Sequence, residues 1–285
     1  MYIMELKIKI SADSASDLSL DQIKTNDIEI IPLTIVKDDK PFVDGIDITP
    51  YDIFEHVDNG GEICHTTAIN AYQFASFFEK ASQENDAVIH ISIGSKFSSC
   101  YQAATLAAEK YDNVYVVDSA NLSTGEGLVV MAAVKLRSMG LAAEEIYQNL
   151  QQMIPKAEAS FILDKLDYMR KGGRCSAVTA FGANLLNIRP SIEVVNGSMQ
   201  VAVKYRGSYK KCLFNYIQSR LCNRDDIDTS MVFVTYSTID DDLLREVVEL
   251  VRSCVDFEQV ICTNAGCTVS CHCGPGTVGV LFFRK

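Results

Sequence analysis

Four short segments of this chain carry side chains able to hold a small anion. Near the end, Cys271-His272-Cys273-Gly274-Pro275-Gly276 sets an imidazole against two glycines and a proline. The glycines let backbone approach a ligand or strand closely, and the proline stiffens the turn, so the spacing predicts a tight loop with a half-buried His272. Upstream, Cys64-His65-Thr66-Thr67 stands just before a helix predicted from Ala71. Free amide N–H groups and hydroxyls point the same way at such a place. Ser95-Lys96-Phe97-Ser98-Ser99-Cys100 follows a buried strand and opens a helix. In an open α/β sheet, ligands lie there, beyond the carboxyl ends of strands. Arg170-Lys171-Gly172-Gly173-Arg174 allows sharp placement of a guanidinium, a planar donor suited to carboxylate or phosphate. Each segment taken alone has a plainer explanation: a helix cap, a core histidine, a solvated basic turn.

Other chemistries fit less well. A serine hydrolase of lipid or ester substrates would use Ser98 with His272, and it stands as the alternative to a binding function. The chain has no Gly-x-Ser-x-Gly elbow and no identifiable carboxylate partner for the histidine. Cys262, Cys267, Cys271, His272 and Cys273 crowd together, but zinc sites favour widely separated Cys-x-x-Cys pairs, so buried inert thiols and no metal are expected. No phosphate-binding glycine loop of the nucleotide-kinase or dinucleotide type appears, and no cofactor is expected.

With 285 residues, the chain exceeds the comfortable size of one hydrophobic core, and two domains of about 140 residues each are the default. The net charge of −11 opposes nucleic-acid binding and general attraction to anionic membranes, so an anionic ligand has to be held by local donors. Lys7, Lys9 and Glu5 interrupt the first apolar stretch, which does not resemble a signal peptide. No run approaches the roughly 18 apolar residues of a membrane span. Ten cysteines without an export signal read as reduced thiols in the cytoplasm.

The first half alternates strand and helix: strands over 7–11, 28–36, 87–93 and 114–117, helices over 51–57, 71–82, 101–111, 127–139 and 143–153. That alternation predicts a parallel sheet covered by helices on both faces. After Pro155 the pattern changes to a mixed α+β domain, with a strand over 160–163 and a helical turn over 181–186. It includes a hairpin around Asn196-Gly197, helices over 209–221 and 240–251, and strands over 231–236, 259–262 and 276–283. The expected division is 1–156 and 157–285, with a ligand between the domains. An apolar slot for that ligand has candidates in Phe161, Ile162, Leu166, Phe181, Leu185, Leu186, Ile188 and Ile192.

The four segments, in order and over nearly the whole chain, resemble the DegV family of bacterial fatty-acid-binding proteins that serve fatty acid kinase. The resemblance includes Asp13-Ser14-Ala15-Ser16-Asp17-Leu18, Ile31-Pro32-Leu33, Asp44-Gly45, Thr66-Thr67 and Ser98. It continues through Tyr101-Gln102, Asp118-Ser119, Gly172-Gly173-Arg174, Ile188-Arg189-Pro190 and His272-Cys273-Gly274-Pro275-Gly276. It implies a long-chain fatty acid between two domains, its carboxylate met by Thr66, Thr67 and Ser98, with His272 near the head group. The carrier would present that carboxylate to a kinase subunit that makes acyl phosphate for phospholipid synthesis, and would not itself be an enzyme. Arg174 is the arginine of the family's Gly-Gly-Arg, and 170–174 would be a docking surface for the kinase or, transiently, the membrane. Ala68 and Ile69 replace the family's Gln-Pro, Ser99 and Cys100 its Gly-Thr, and Cys273 a usual threonine, so an amide donor to the head group is lost.

Overall fold

A computed structural model describes residues 6–179 and 188–285. The chain begins β1 (Ile8–Asp13), α1 (Leu20–Thr25), β2 (Ile28–Ile31), β3 (Thr34–Lys37) and β4 (Lys40–Val43). It continues α2 (Pro50–Asp58), β5 (His65–Thr67), α3 (Ala71–Glu84), β6 (Ala87–Ser92), α4 (Cys100–Ala108) and β7 (Val114–Asp118). Helices α5 (Thr124–Ser138) and α6 (Ala143–Met153) lead into β8 (Ala157–Ile162), α7 (Asp167–Gly172) and α8 (Ser176–Thr179). The remainder is β9 (Ile188–Val195), β10 (Ser198–Arg206), α9 (Tyr209–Leu221), β11 (Ile227–Tyr236) and α10 (Asp241–Cys254), then β12 (Gln259–Asn264), α11 (Cys267–Cys273) and β13 (Val278–Arg284).

The expected parallel sheet is present, in the order β2-β1-β6-β7. Period-two alternation on β6 sends Val88 toward α3 and α4 and Ile89 toward α5 and α6, so both faces are covered. The second sheet is mixed, ordered β10-β9-β8-β13-β11-β12, with only β11 and β12 parallel. Ile162, Val232 and Val280 on one face pack under α9 and α10, and Phe233 and Leu281 face the other way. Helix α5 lies between the two sheets, in contact with β1 and β6 on one side and β8 and β13 on the other, and is buried along most of its length.

A third sheet, β4-β3-β5, was not foreseen. The run over 28–36 is not one strand: it breaks at Pro32, which lacks the N–H a ladder needs, and its halves join different sheets. Cys222 and Cys254 are joined by a disulfide where α9 and α10 pack side by side, which corrects the expectation of ten free thiols. The helical turn expected over 181–186 lies outside the described residues. Among the described residues, no helix is long and apolar enough to cross a membrane.

Candidate functional site

The carboxyl ends of β1, β6 and β7 are organised by two aspartates. Asp13 accepts hydrogen bonds from Ser92 Oγ at 2.8 Å and from the Ile93 N–H at 3.1 Å. Asp118 accepts from the Ser95 N–H at 3.0 Å. These contacts shape the loop that leads from β6 into α4. The Ser98 hydroxyl, not that of Ser99, takes the free Cys100 N–H at the start of α4, at 3.3 Å. The same hydroxyl donates to Cys100 Sγ at 3.1 Å.

Opposite this loop stands α11. The segment expected to be a tight loop is instead the last turn of that helix, and Gly274, at φ +73°, ends it. No other residue type fits as easily there, because a Cβ on Gly274 would lie 2.7 Å from the Tyr168 ring. His272 projects from this turn, and its Nε2 lies 3.0 Å from Thr66 Oγ1 on β5. Burial, and then the charge of Arg174, push the imidazole pKa down to about 4, so the ring is neutral at neutral pH. With the proton on Nε2, the ring donates to Thr66 and leaves the threonine hydroxyl proton free to point at an anion. That tautomer also makes the partnerless Nδ1 a bare acceptor, a cheaper group to bury than an N–H.

Thr66, Ser98, Arg174 and His272 all line one cavity of about 460 Å³. Leu33, Ile93, Phe97 and Leu122 form its apolar wall from the first half of the chain, and Met169, Met199 and Val269 from the second. Thr67 does not join them. The residues expected to pair on one helix start sit on a strand, where successive side chains face opposite ways, and Thr67 faces solvent. Of the expected apolar slot, Phe161 and Ile192 lie in the core beneath the cavity, with Leu166 packed against it, but none of the three lines it. Ile188 is half-buried outside the wall, and Ile162 belongs to the opposite face of its sheet. Phe181, Leu185 and Leu186 lie outside the described residues.

Arg174 is exposed at the cavity mouth and donates to the Gly172 carbonyl at 2.7 Å. It follows α7, a helix that Gly173 closes at φ +68°, so the basic segment is a helix end more than a turn. Its neighbours are partly neutralised: Lys171 pairs with Glu62 at 2.9 Å. Arg189 pairs with Asp164 at 2.7 Å. Ser95, Lys96 and Gln102, quoted from the sequence but given no role, also stand in the cavity wall, as does Thr268, which sequence reasoning missed. Gln102 had a signal: it follows Ser98 by four residues, one turn along α4, and it puts an amide in the wall where Ala68 and Ile69 supply none.

Ser98 is not paired with His272, whose Nε2 is taken by Thr66 and whose Nδ1 meets no carboxylate. The arrangement lacks the linked base and orienting acid of a serine nucleophile. Cys267, Cys271 and Cys273 are buried along α11, and Cys262 is exposed on β12. Among the described residues, no three Cys, His, Asp or Glu side chains converge to hold a metal ion.

A family model for DegV, described as a family of uncharacterised proteins, matches residues 7–285. A DegV domain-containing protein from Caldanaerobacter subterraneus is 31% identical over 283 residues, spanning 98% of this chain and 99% of its own. A solved DegV family protein from Thermus thermophilus, described by its fatty acid binding, superposes with a TM-score of 0.88 at 27% identity. That match covers 98% of this chain and 100% of that one. A stearic-acid-binding protein from Eubacterium ventriosum superposes with a TM-score of 0.82 at 25% identity, covering 98% of each chain.

Proposed function

The chain belongs to the DegV family, and from that premise we propose that it binds a long-chain fatty acid and presents the carboxylate to a fatty acid kinase. One observation carries the reading: two hydroxyls, Thr66 and Ser98, and a neutral imidazole line the same cavity, beside an apolar wall drawn from both halves of the chain. A carboxylate leaving water needs several donors to replace its hydration, and these groups, with Gln102 beside them, are of the right kind. Each buried methylene contributes about 0.8 kcal/mol, so ten contribute roughly 8 kcal/mol, near micromolar affinity before ordering costs. The acyl chain therefore dominates affinity and the hydroxyls fix which end of it faces the mouth. Relatives described as fatty-acid and stearic-acid binders support the ligand class.

The two lobes are taken as 1–156 and 157–285, because the parallel sheet ends at Asp118 and the mixed sheet begins at Ala157. The exposed guanidinium of Arg174 at the mouth supports a docking role for this segment toward the kinase. Mass spectrometry of lipid carried through purification is the test. A stoichiometric fatty acid with an intact carboxylate is expected. Absence of any fatty acid, with turnover of a fatty-acyl ester that stops in Ser98→Ala, would replace the carrier with the hydrolase. Charge reversal at Arg174 that leaves kinase-dependent acyl phosphate formation unchanged would remove the docking role.

A further inference from the structure

The Asp13–Leu18 and Asp44-Gly45 motifs contribute nothing to the cavity wall, yet a carboxylate from each ends at the helix that carries His272. Helix α11 has Gly266 at its N-cap and therefore no side chain of its own to satisfy its first amides. The Gly266 N–H donates to Asp17 Oδ1 at 2.8 Å and the Cys267 N–H to Asp44 Oδ1 at 3.1 Å. Thr268 donates to Asp44 Oδ2 from its N–H at 3.3 Å and from its hydroxyl at 2.6 Å. Both carboxylates are 5% exposed and are held from behind. Ser123 Oγ donates to Asp17 at 2.5 Å, and Ser14 Oγ donates to Asp44 at 2.8 Å. Ser14 in turn accepts the N–H of Leu33, a residue of the cavity wall, at 3.0 Å. Negative charge at a helix amino end is also favoured by the helix dipole.

Helix α11 is thus fixed at both ends by the first half of the chain: by Asp17 and Asp44 at its start, and by Thr66 at its last turn. The helix between the two anchor points is only seven residues long, too short for bending to absorb a tilt. We propose that Asp44 and Asp17 are positioning residues for head-group capture: they set the direction of α11 and so hold His272 Nε2 against Thr66 Oγ1. This rests on the fatty-acid reading of the cavity. A cap that only stabilised the fold would leave binding by the folded protein unchanged.

A double-mutant cycle on the full chain separates the two roles. Affinity is read by uptake of cis-parinaric acid and its displacement by oleic acid, with melting temperatures for all variants. Asp44→Asn keeps the shape and removes a charged acceptor; it should weaken binding about tenfold, part of the worth of charge-assisted hydrogen bonds. In the His272→Ala background the same change should alter affinity less than about twofold, because its effect passes through the imidazole. An equal loss in both backgrounds, or no loss in either, overturns the proposal. If Asp44→Asn does not fold, Asp17→Asn goes through the same cycle at about pH 8.5, above the raised pKa of Asp17, where its carboxylate is ionised. The ¹⁵N shifts of the His272 ring supply a readout that needs no ligand: they should move in the aspartate variants while those of buried His90 stay put, and unmoved His272 shifts overturn it. Failure of the unmodified protein to take up either fatty acid would remove the fatty-acid reading, and the His272 shifts alone would then decide the positioning role.

Discussion

Gly172→Ala should weaken fatty-acid binding at a net cost in stability of no more than about 2 kcal/mol. A Cβ at this position would lie 2.4 Å from His272 Nδ1, where ordinary contact begins near 3.4 Å. The imidazole must retreat by about 1 Å. Nε2 sits across the same rigid ring, so the movement either drives it into Thr66 or swings it out of the 3.0 Å hydrogen bond. The crowding costs about 1–3 kcal/mol, and the better helix propensity of alanine over glycine in α7 returns about 1 kcal/mol. The lost His272–Thr66 bond is worth about 1 kcal/mol to head-group capture, a five- to tenfold loss of affinity. Gly173→Ala is the control. Gly173 has φ +68° and nothing within 4 Å of its missing Cβ, so alanine there costs about 1–2 kcal/mol of backbone strain and touches nothing in the cavity. Displacement of cis-parinaric acid and thermal melting on both variants give the comparison. Normal binding by Gly172→Ala, or impaired binding by Gly173→Ala with Gly172→Ala intact, refutes the geometry.

Three more outcomes follow from the site and its surroundings. Thr66→Val and Ser98→Ala should each weaken fatty-acid affinity about fivefold, and Thr67→Val should leave it unchanged because that hydroxyl faces solvent; equal effects at 66 and 67 in the displacement assay would sink the assignment. Burial raises the Asp17 carboxyl from 3.8 to about 7, against weaker pulls from Ser123 and Gly266. A raised carboxylate is protonated in the fold while the unfolded chain has already ionised, so its contribution falls as pH rises from about 4 through 7, by roughly 4 kcal/mol in all. Urea midpoints between pH 6.5 and 7.5 should therefore decline more steeply for the unmodified chain than for Asp17→Asn; parallel curves would contradict the shift. Finally, Arg220 joins Glu193 at 2.5 Å and Glu158 at 2.6 Å beneath the mixed sheet. Glu158 keeps Arg224 if Arg220 is lost, but Glu193 is left alone, so Arg220→Met should cost about 1–3 kcal/mol in denaturant unfolding without altering ligand affinity.

Local chemistry was legible wherever a single segment decided the outcome. Apolar alternation and helix caps place β6, α3, α6 and α9 within a residue or two, because propensity and burial agree there. Thr66, Ser98 and His272 were singled out by residue type, and the structure puts all three on one cavity; the sequence left the cap of α4 open between Ser98 and Ser99, and Ser98 holds it. The errors share a cause. Thr66 and Thr67 look equivalent in sequence; only pairing with β3 shows that they face opposite ways. Glycine and proline at 274–276 suggest a loop through His272, but the preceding helix exists because Asp17 and Asp44 cap it from 249 and 223 residues away. The run over 28–36 looks continuous until two sheets compete for its halves.

The sequence by itself determined the alternation that builds a parallel sheet and the family to which the chain belongs, and it supplied the hydroxyl and imidazole side chains as candidates. Tertiary structure alone decided which of those side chains share a cavity, what lines its wall, and how His272 is aimed. Periodicity is a property of neighbours along the chain, whereas a site depends on distances between strand faces and helix ends that lie far apart along it.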